Sequence, residues 1–216
     1  MDFERARRNM IDSQVRPNRV TDIAVIDAMA SVPRELFLPK ARQGIAYVDE
    51  DIDLGEGRYM LEPMVFARLL QAAEIRPTDA VLDVACASGY SSVVIGRFAA
   101  AVVGLESNPD FAAAASKTMI DMNADNAVIV EGALADGYAR QAPYDVIFIN
   151  GSIEVEPAGL LSQLGEGGRM VAVMKGVNGG AARVWEKHAG SITARTLFDA
   201  GVPLLKEFAK TEEFVF

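Results

Sequence analysis

Two residue types that carry much of enzyme chemistry are almost missing from this 216-residue chain. Cys86 is the single cysteine, so no disulfide can form within the chain and a thiolate metal site is disfavoured. His188 is the single histidine, which argues against a histidine metal cluster and against a Ser-His-Asp triad. We therefore expect no metal, and a chemistry that needs neither residue.

Positive charge and long apolar runs are also scarce. The formal net charge of −9 disfavours a nucleic-acid partner, because the phosphate backbone attracts basic surfaces. No apolar run approaches the length of a membrane span, and residues 1–8 are charged with no signal-like segment behind them. These features predict a cytoplasmic protein without a membrane partner, either a monomer or a homodimer.

The order of apolar segments predicts the fold class. From about residue 77, short apolar runs that read as buried strands alternate with helical segments, at 80–84, 101–106, 127–131, 144–150 and 170–174. Strands joined through helices form a mainly parallel sheet that is covered on both faces. Residues 182–187 and 192–198 read as two further strands around a turn at 189–190, which adds an antiparallel edge. The prediction is a doubly wound, seven-stranded α/β sheet.

Capping residues set the predicted helix boundaries. Helices are expected at 3–13, at 22–31 with Thr21 as N-cap, at 64–74 after Pro63, and at 88–98. A helix at 108–123 starts with Asn108 as cap, and a short one spans 157–164. Residues 49–57 and 165–168 are expected to be a loop and a turn. We expect an N-terminal helical extension, 1–75, packed on a core domain, 76–216.

Two acidic residues mark the expected binding edge of the sheet. Asp83 is next to last in the first predicted strand and Glu106 ends the second, 106 − 83 = 23 residues later. An acid at the second position accepts hydrogen bonds from ribose hydroxyls in nucleotide-binding sheets. The pattern fits both dinucleotide enzymes and methyltransferases, although only Gly89 is present of the glycines that a pyrophosphate needs. Alternatively, both acids only cap strand ends.

The residues around Asp83 resemble a known family. The run 81–90, Val-Leu-Asp-Val-Ala-Cys-Ala-Ser-Gly-Tyr, is similar to the S-adenosylmethionine motif of protein-L-isoaspartate O-methyltransferases. The segment 28–39 is close to that family's N-terminal signature, 144–149, 160–164 and 167–171 match its fourth and fifth strands, and 196–198 with 202–204 resembles its C-terminal strands. The resemblance covers nearly the whole chain and implies a Rossmann-like methyltransferase fold.

The resemblance also implies a reaction. The family transfers a methyl group from S-adenosylmethionine to the carboxylate of L-isoaspartyl residues in damaged proteins, which opens a repair route. S-adenosylmethionine is therefore the implied cofactor and an isoaspartyl protein or peptide the implied partner. The implied cofactor-binding residues are Asp83, Ala85, Ala87, Ser88, Gly89, Glu106, Gly132 and Ala133. Asn150 ends the fourth strand, where it either contacts the ligand or only forms a turn.

Several family positions carry other residues here. Ala85 and Ala87 replace loop glycines, and a positive φ would cost each alanine about 1–2 kcal/mol. Leu61 occupies the position of a serine associated with catalysis, and its neighbours Arg58 and Glu62 are charged. Arg58 is a candidate carboxylate partner, whereas Glu62 would repel a substrate carboxylate.

The position of the adenine-binding acid is also changed. Gly132 and Ala133 stand where the family has a Gly-Asp-Gly run, which leaves Glu131 or Asp136 to replace the acid. Three hypotheses follow: an isoaspartyl methyltransferase, a methyltransferase with another acceptor, and a binding or scaffold protein that keeps the fold.

Overall fold

The structure, a computed structural model, describes residues 1–177 and 179–210. The end of the predicted core domain, 211–216, lies outside the described residues. The helices are α1 Phe3–Met10, α2 Ile23–Ser31, α3 Pro63–Ala73, α4 Tyr90–Gly96, α5 Pro109–Asp121 and α6 Ala158–Leu161. The strands are β1 Ile52–Gly55, β2 Arg58–Met60, β3 Ala80–Val84, β4 Ala101–Glu106, β5 Ala127–Glu131, β6 Tyr144–Ile153, β7 Leu164–Gly176, β8 Gly179–His188 and β9 Ser191–Asp199.

Seven strands form one sheet in the order β5-β4-β3-β6-β7-β8-β9. The pairs from β5 to β7 are parallel, and β8 and β9 pair antiparallel at the edge, as predicted. The strand β3 lies between β4 and β6, so the order of the parallel strands reverses beside it. Ligands of doubly wound sheets bind outside the carboxyl ends of the strands at such a switch point.

The N-terminal region packs on the sheet close to that switch point. The apolar faces of α2 and α3 share one core cluster with β3 and β6. Phe66 of α3 places its ring 5.6 Å from Phe148 and 5.5 Å from Tyr90, the first residue of α4. The loop after β3 is therefore covered by residues from the first third of the chain.

Two local predictions in the N-terminal region were wrong. Asp22, not Thr21, is the N-cap of α2, because its carboxylate accepts from the Ala24 and Val25 amides at 2.8 and 3.4 Å. The expected loop at 49–57 contains β1, which pairs antiparallel with β2 in a small hairpin. The hairpin can turn tightly because Gly55 and Gly57 have positive φ.

Four boundaries further along the chain also differ. The helix expected at 88–98 begins only at Tyr90, since Gly89 is left-handed with a φ of 86°. The expected turn at 165–168 is wrong, because these residues belong to β7, whose first residue pairs with Tyr144. The strand β6 is longer than expected, and α6 is shorter. Within the described ranges no helix is both long and apolar enough to cross a membrane.

Candidate cofactor site at the switch point

Asp83 lies at the carboxyl end of β3 and is fully buried. Its carboxylate accepts hydrogen bonds from the hydroxyls of Ser91 and Ser92, at 2.6 and 2.5 Å, and from the Asn150 amide at 2.6 Å. Asn150 also donates to the Val84 carbonyl at 3.0 Å. Burial raises the pKa of Asp83 to about 6, although these three donors oppose the rise. Asp83 thus ties β3, β6 and α4 together beneath the loop.

The loop 85–89 carries the strain that its sequence predicts. Ala85 has a φ of 58° and Ala87 a φ of 46°, both in the left-handed region that favours glycine. Gly89 also has positive φ, and a Cβ there would lie 2.6 Å from Met119. The methyl groups of both alanines are buried, and Ser88 is half-buried. The backbone keeps the shape of a glycine loop, while its two alanines narrow the space beside it.

Glu106 lies at the carboxyl end of β4 and is fully buried. One of its oxygens accepts from the backbone amides of Ser107 and Asn108, at 2.8 and 3.0 Å. The other accepts from the amide of Ala87 at 2.9 Å. The acid predicted for a ribose therefore lies against the loop, as its place in the sequence requires.

Arg58, on β2, covers the remaining face of Glu106. Its Nε lies 3.0 and 3.1 Å from the two Glu106 oxygens. Its Nη2 donates to the Ser107 hydroxyl at 2.8 Å and to Glu207 at 2.7 Å. Burial lowers the pKa of Arg58, but the bonds and charges of the two glutamates outweigh burial and leave that pKa above its usual value. Five donor contacts occupy the two oxygens of Glu106, so these oxygens have no acceptor position left for a ribose hydroxyl.

A small cavity adjoins the other side of the loop. Its volume is about 20 Å³, room for roughly one water molecule. It is lined by residues 59–61, 85–88 and 90–91, with Arg34, Leu54, Phe66 and Asn150. Of the three residues predicted around the family serine position, only Leu61 lines this cavity, with its side chain buried.

Glu62 lies beside the site rather than in it. Its amide donates to Asp51 at 2.8 Å, and its half-buried carboxylate makes no cap bond to α3. Burial raises the pKa of Glu62 to about 6, and the charges of Asp51 and Asp49 add to the rise. The negative groups on this rim disfavour an acidic ligand near the start of α3.

The end of β5 lies next to Glu106. The amide of Gly132 donates to the Glu106 carbonyl at 3.0 Å, so the structure places this residue next to Glu106. Ala133 and both candidate replacement acids, Glu131 and Asp136, are exposed. None of the described side-chain hydrogen bonds connects the two acids to the loop.

Three residues of the site were missed by the sequence reasoning. Arg34 and Tyr90 line the cavity, and Glu207 holds Arg58 from the far end of the chain. Arg34 had one signal, the pair of charges that it forms with Glu35 within the otherwise apolar stretch 32–38. Glu207 had none, because it meets Arg58 across 149 residues.

Comparison with known proteins identifies the family of this chain. The model of the family described as protein-L-isoaspartate(D-aspartate) O-methyltransferase matches residues 5–205. The chain belongs to this family. Its curated relatives include the protein-L-isoaspartate O-methyltransferase of Koribacter versatilis, 35% identical over 94% of this chain and 92% of that one. Another is the enzyme of the same name from Methanoculleus marisnigri, 36% identical over 78% of this chain and 76% of that one.

Solved structures of the family have the same fold. A protein-L-isoaspartate O-methyltransferase aligns with a TM-score of 0.81 and 22% identity, over 94% of this chain and 67% of that one. A Plasmodium falciparum protein described as a putative member, in complex with S-adenosyl-L-homocysteine, aligns with a TM-score of 0.81 and 20% identity, over 93% of this chain and 98% of that one. At these identities the likeness shows the fold alone.

Proposed function

We propose that this protein is an S-adenosylmethionine-dependent methyltransferase that esterifies the carboxylate of L-isoaspartyl residues in proteins. The observation that carries the proposal is Glu106, a buried acid at the end of β4 that contacts the loop after β3. Support comes also from the family match, which includes the N-terminal region outside the nucleotide-binding sheet. One solved relative is described in complex with S-adenosyl-L-homocysteine, the demethylated cofactor.

When bound, the cofactor would supply an electrophilic methyl carbon, because that carbon is bonded to a positively charged sulfur that would leave as the neutral thioether of S-adenosylhomocysteine when a carboxylate oxygen takes the methyl group. Glu106 is the residue that would accept from the ribose hydroxyls, with Gly132 and Ala133 beside it. Asp83 and Asn150 hold the loop in shape, and the methionine part would lie along Ala85, Ala87, Ser88 and Gly89. Leu61 and Phe66 exclude water from the site rather than bond the substrate.

The proposal requires the site to open. A cavity of about 20 Å³ is far below the ~300–1,000 Å³ of pockets that hold molecules of cofactor size. The carboxylate of Glu106 suits a ribose, but the space in this arrangement does not admit the cofactor. Arg58 has to leave Glu106, which moves the hairpin of β1 and β2. We therefore expect weaker cofactor binding than a preformed site would give.

Methyl transfer from labelled S-adenosylmethionine tests the proposal. The purified chain is incubated with an L-isoaspartyl peptide and, as matched substrate control, the same peptide with normal aspartate. We expect base-labile label in the isoaspartyl peptide alone. Glu106→Gln should abolish transfer, whereas Glu186→Gln, on β8 in the antiparallel part of the sheet, should leave it unchanged. Failure of the wild-type chain to label the isoaspartyl peptide at millimolar cofactor would exclude the proposed activity.

A second candidate is a family member that binds a partner without methyl transfer. The specific observation in its favour is the contact of Arg58 with both oxygens of Glu106, which a cofactor would have to displace. Calorimetry separates the two candidates. No heat with S-adenosylhomocysteine at millimolar ligand would favour the binding protein. Binding without transfer to isoaspartyl peptides would favour a methyltransferase with another acceptor.

The remaining expectations are part of the same proposal. We expect a cytoplasmic monomer or homodimer, and the net charge of −9 disfavours a nucleic-acid ligand. Residues 1–75 and 76–216 are expected to unfold together, since their apolar side chains share a core cluster.

A further inference from the structure

Arg34 differs from the other buried arginines of the described residues. Three arginines are buried among the described residues, namely Arg34, Arg58 and Arg169, with exposed fractions of 0%, 4% and 8%. Arg58 is paired with Glu106 and Glu207, and Arg169 is paired with Asp79 at 2.7 Å. Arg34 has no carboxylate within 4.0 Å among residues 1–177 and 179–210. A charge that is fully buried without a counter-ion is rare, because desolvation strongly disfavours it.

The hydrogen bonds of Arg34 leave one nitrogen free. Its Nε donates to the Ala46 carbonyl at 2.8 Å, and its Nη2 donates to the Leu61 carbonyl at 2.5 Å. The buried Nη1 has no partner within the described part of the chain. Arg34 therefore positions the segment before α3 and still has a donor to spare.

Tyr90 is the second unsatisfied group at the same place. Its hydroxyl is buried and donates to no acceptor in the described ranges, although the Arg34 guanidinium approaches its oxygen. The Arg34 guanidinium carbon lies 5.0 Å from the centre of the Tyr90 ring, and both residues line the cavity beside the loop. Buried polar groups without partners are rare in folded proteins, and each needs an explanation.

The nearest acids do not supply the missing partner. Asp51 adds a favourable charge near Arg34, but its carboxylate accepts from the Glu62 amide. Glu35 accepts from the Tyr47 hydroxyl instead. The free donors around the cavity are thus a guanidinium nitrogen and a phenol hydroxyl, a pair that matches the two oxygens of a carboxylate.

We propose that Arg34 and Tyr90 form a carboxylate-binding subsite beside the loop. The inference rests on the proposed function, which brings two carboxylates to this cavity. One belongs to the amino-acid part of S-adenosylmethionine, and the other is the α-carboxylate of the isoaspartyl residue. Either would satisfy both orphaned groups, and the subsite supplies the polar contact that Leu61 cannot make.

The cavity has to widen for this ligand. Its present volume of about 20 Å³ accepts one water, which is smaller than a carboxylate. Leu54 and Tyr59, on the hairpin of β1 and β2, line the cavity and are half-exposed. Outward movement of this hairpin would admit the carboxylate and would also withdraw Arg58 from Glu106.

Tyr90→Phe is the informative variant because it removes one unsatisfied hydroxyl and leaves the ring contacts. The matched control is Tyr144→Phe, whose hydroxyl donates to the Tyr138 carbonyl at 2.8 Å in the apolar cluster on the other side of the sheet. Binding is measured by calorimetry for two ligand pairs. The first is S-adenosylhomocysteine and methylthioadenosine, which lacks the amino-acid part. The second is an isoaspartyl peptide and its α-carboxamide.

In the wild-type chain we expect the carboxylate member of one pair to bind about 10-fold tighter than its partner, and Tyr90→Phe to remove the preference. The responding pair identifies the carboxylate as that of cofactor or substrate. Equal binding within both pairs, no binding of either carboxylate ligand, or a preference that Tyr90→Phe leaves intact would overturn the subsite and assign the cavity to water. Carboxylate preference without methyl transfer would instead refute only the proposed function.

Discussion

The two sides of the loop after β3 differ in how their buried polar groups are satisfied. On the β4 side, Glu106 receives bonds from three backbone amides and from Arg58. On the α3 side, Arg34 and Tyr90 each keep an unpartnered group within the described residues. Arg58 occupies the carboxylate that is expected to bind a ribose. The neighbouring cavity lacks a hydrogen-bond acceptor for Arg34 and Tyr90 within the described residues. A nucleoside would have to compete with Arg58 for the first place, whereas the proposed subsite offers the second place to a carboxylate.

Arg58→Met should give the largest change in stability. It leaves Glu106 buried without its counter-ion, which costs about 3–5 kcal/mol in the free energy of unfolding. Arg195→Met is the matched control, because its pair with Glu186 is exposed and worth about 0–1 kcal/mol. Urea unfolding measures both. Similar decreases in the free energy of unfolding of the two variants would show that the Arg58–Glu106 ion pair does not stabilise the protein.

The pH dependence of stability should report Asp83. The pKa of its carboxyl rises from 3.8 to about 6 on folding, so the folded protein binds the proton more tightly. Its contribution to the free energy of unfolding is therefore present below pH ~4 and is lost between pH ~4 and ~6, by about 3 kcal/mol. Asp83→Asn should lack this loss. Parallel wild-type and variant curves in urea unfolding from pH 4 to 7 would contradict the assignment.

Loosening Arg58 should strengthen nucleoside binding. Glu207→Gln weakens the hold on Arg58 while leaving Glu106 intact, and we expect S-adenosylhomocysteine to bind several-fold tighter, up to about 10-fold. Calorimetry measures the affinity. The control is Glu166→Gln, which removes an exposed charge near the start of β7, at the end of the sheet opposite the site. Unchanged or weaker affinity in Glu207→Gln would mean that Arg58 does not compete with the ligand.

The alanines of the loop should give the smallest effect. Ala85→Gly and Ala87→Gly each relieve about 1–2 kcal/mol of left-handed strain but add about 0.5–1 kcal/mol of unfolded-chain entropy. We expect a net gain of about 0.5–1 kcal/mol for each. Ala113→Gly, at an exposed position within α5, should instead lose about 1 kcal/mol. Thermal and urea unfolding give the sign of the change in the free energy of unfolding. A decrease in stability in all three variants would show that Ala85 and Ala87 are not strained.

Much of this comparison could be predicted from local sequence. The strands β3 and β4 are short, mostly apolar runs that each carry one acid at or next to the carboxyl end, so Asp83 and Glu106 could be placed at one edge of the sheet. Thr21 and Asp22 are both good N-cap residues, and adjacent caps cannot be separated by propensity alone. The contacts of Arg58 with Glu106 and Glu207 span 48 and 149 residues, and no local pattern encodes such pairs.

The segment after β9 has a practical consequence for anyone who handles this protein. Its backbone runs beside β6, where Leu204 bridges Ser152, and it carries Glu207 to Arg58. Ion pairs from Glu207 to Arg58 and from Arg58 to Glu106 therefore connect the last part of the described chain to the proposed ligand site. A proteolytic cut before Leu204, or a purification tag that displaces this segment, would remove Glu207 from Arg58. We expect either change to alter ligand affinity. Preparations that differ only in this region should be compared before any measured activity is attributed to the loop.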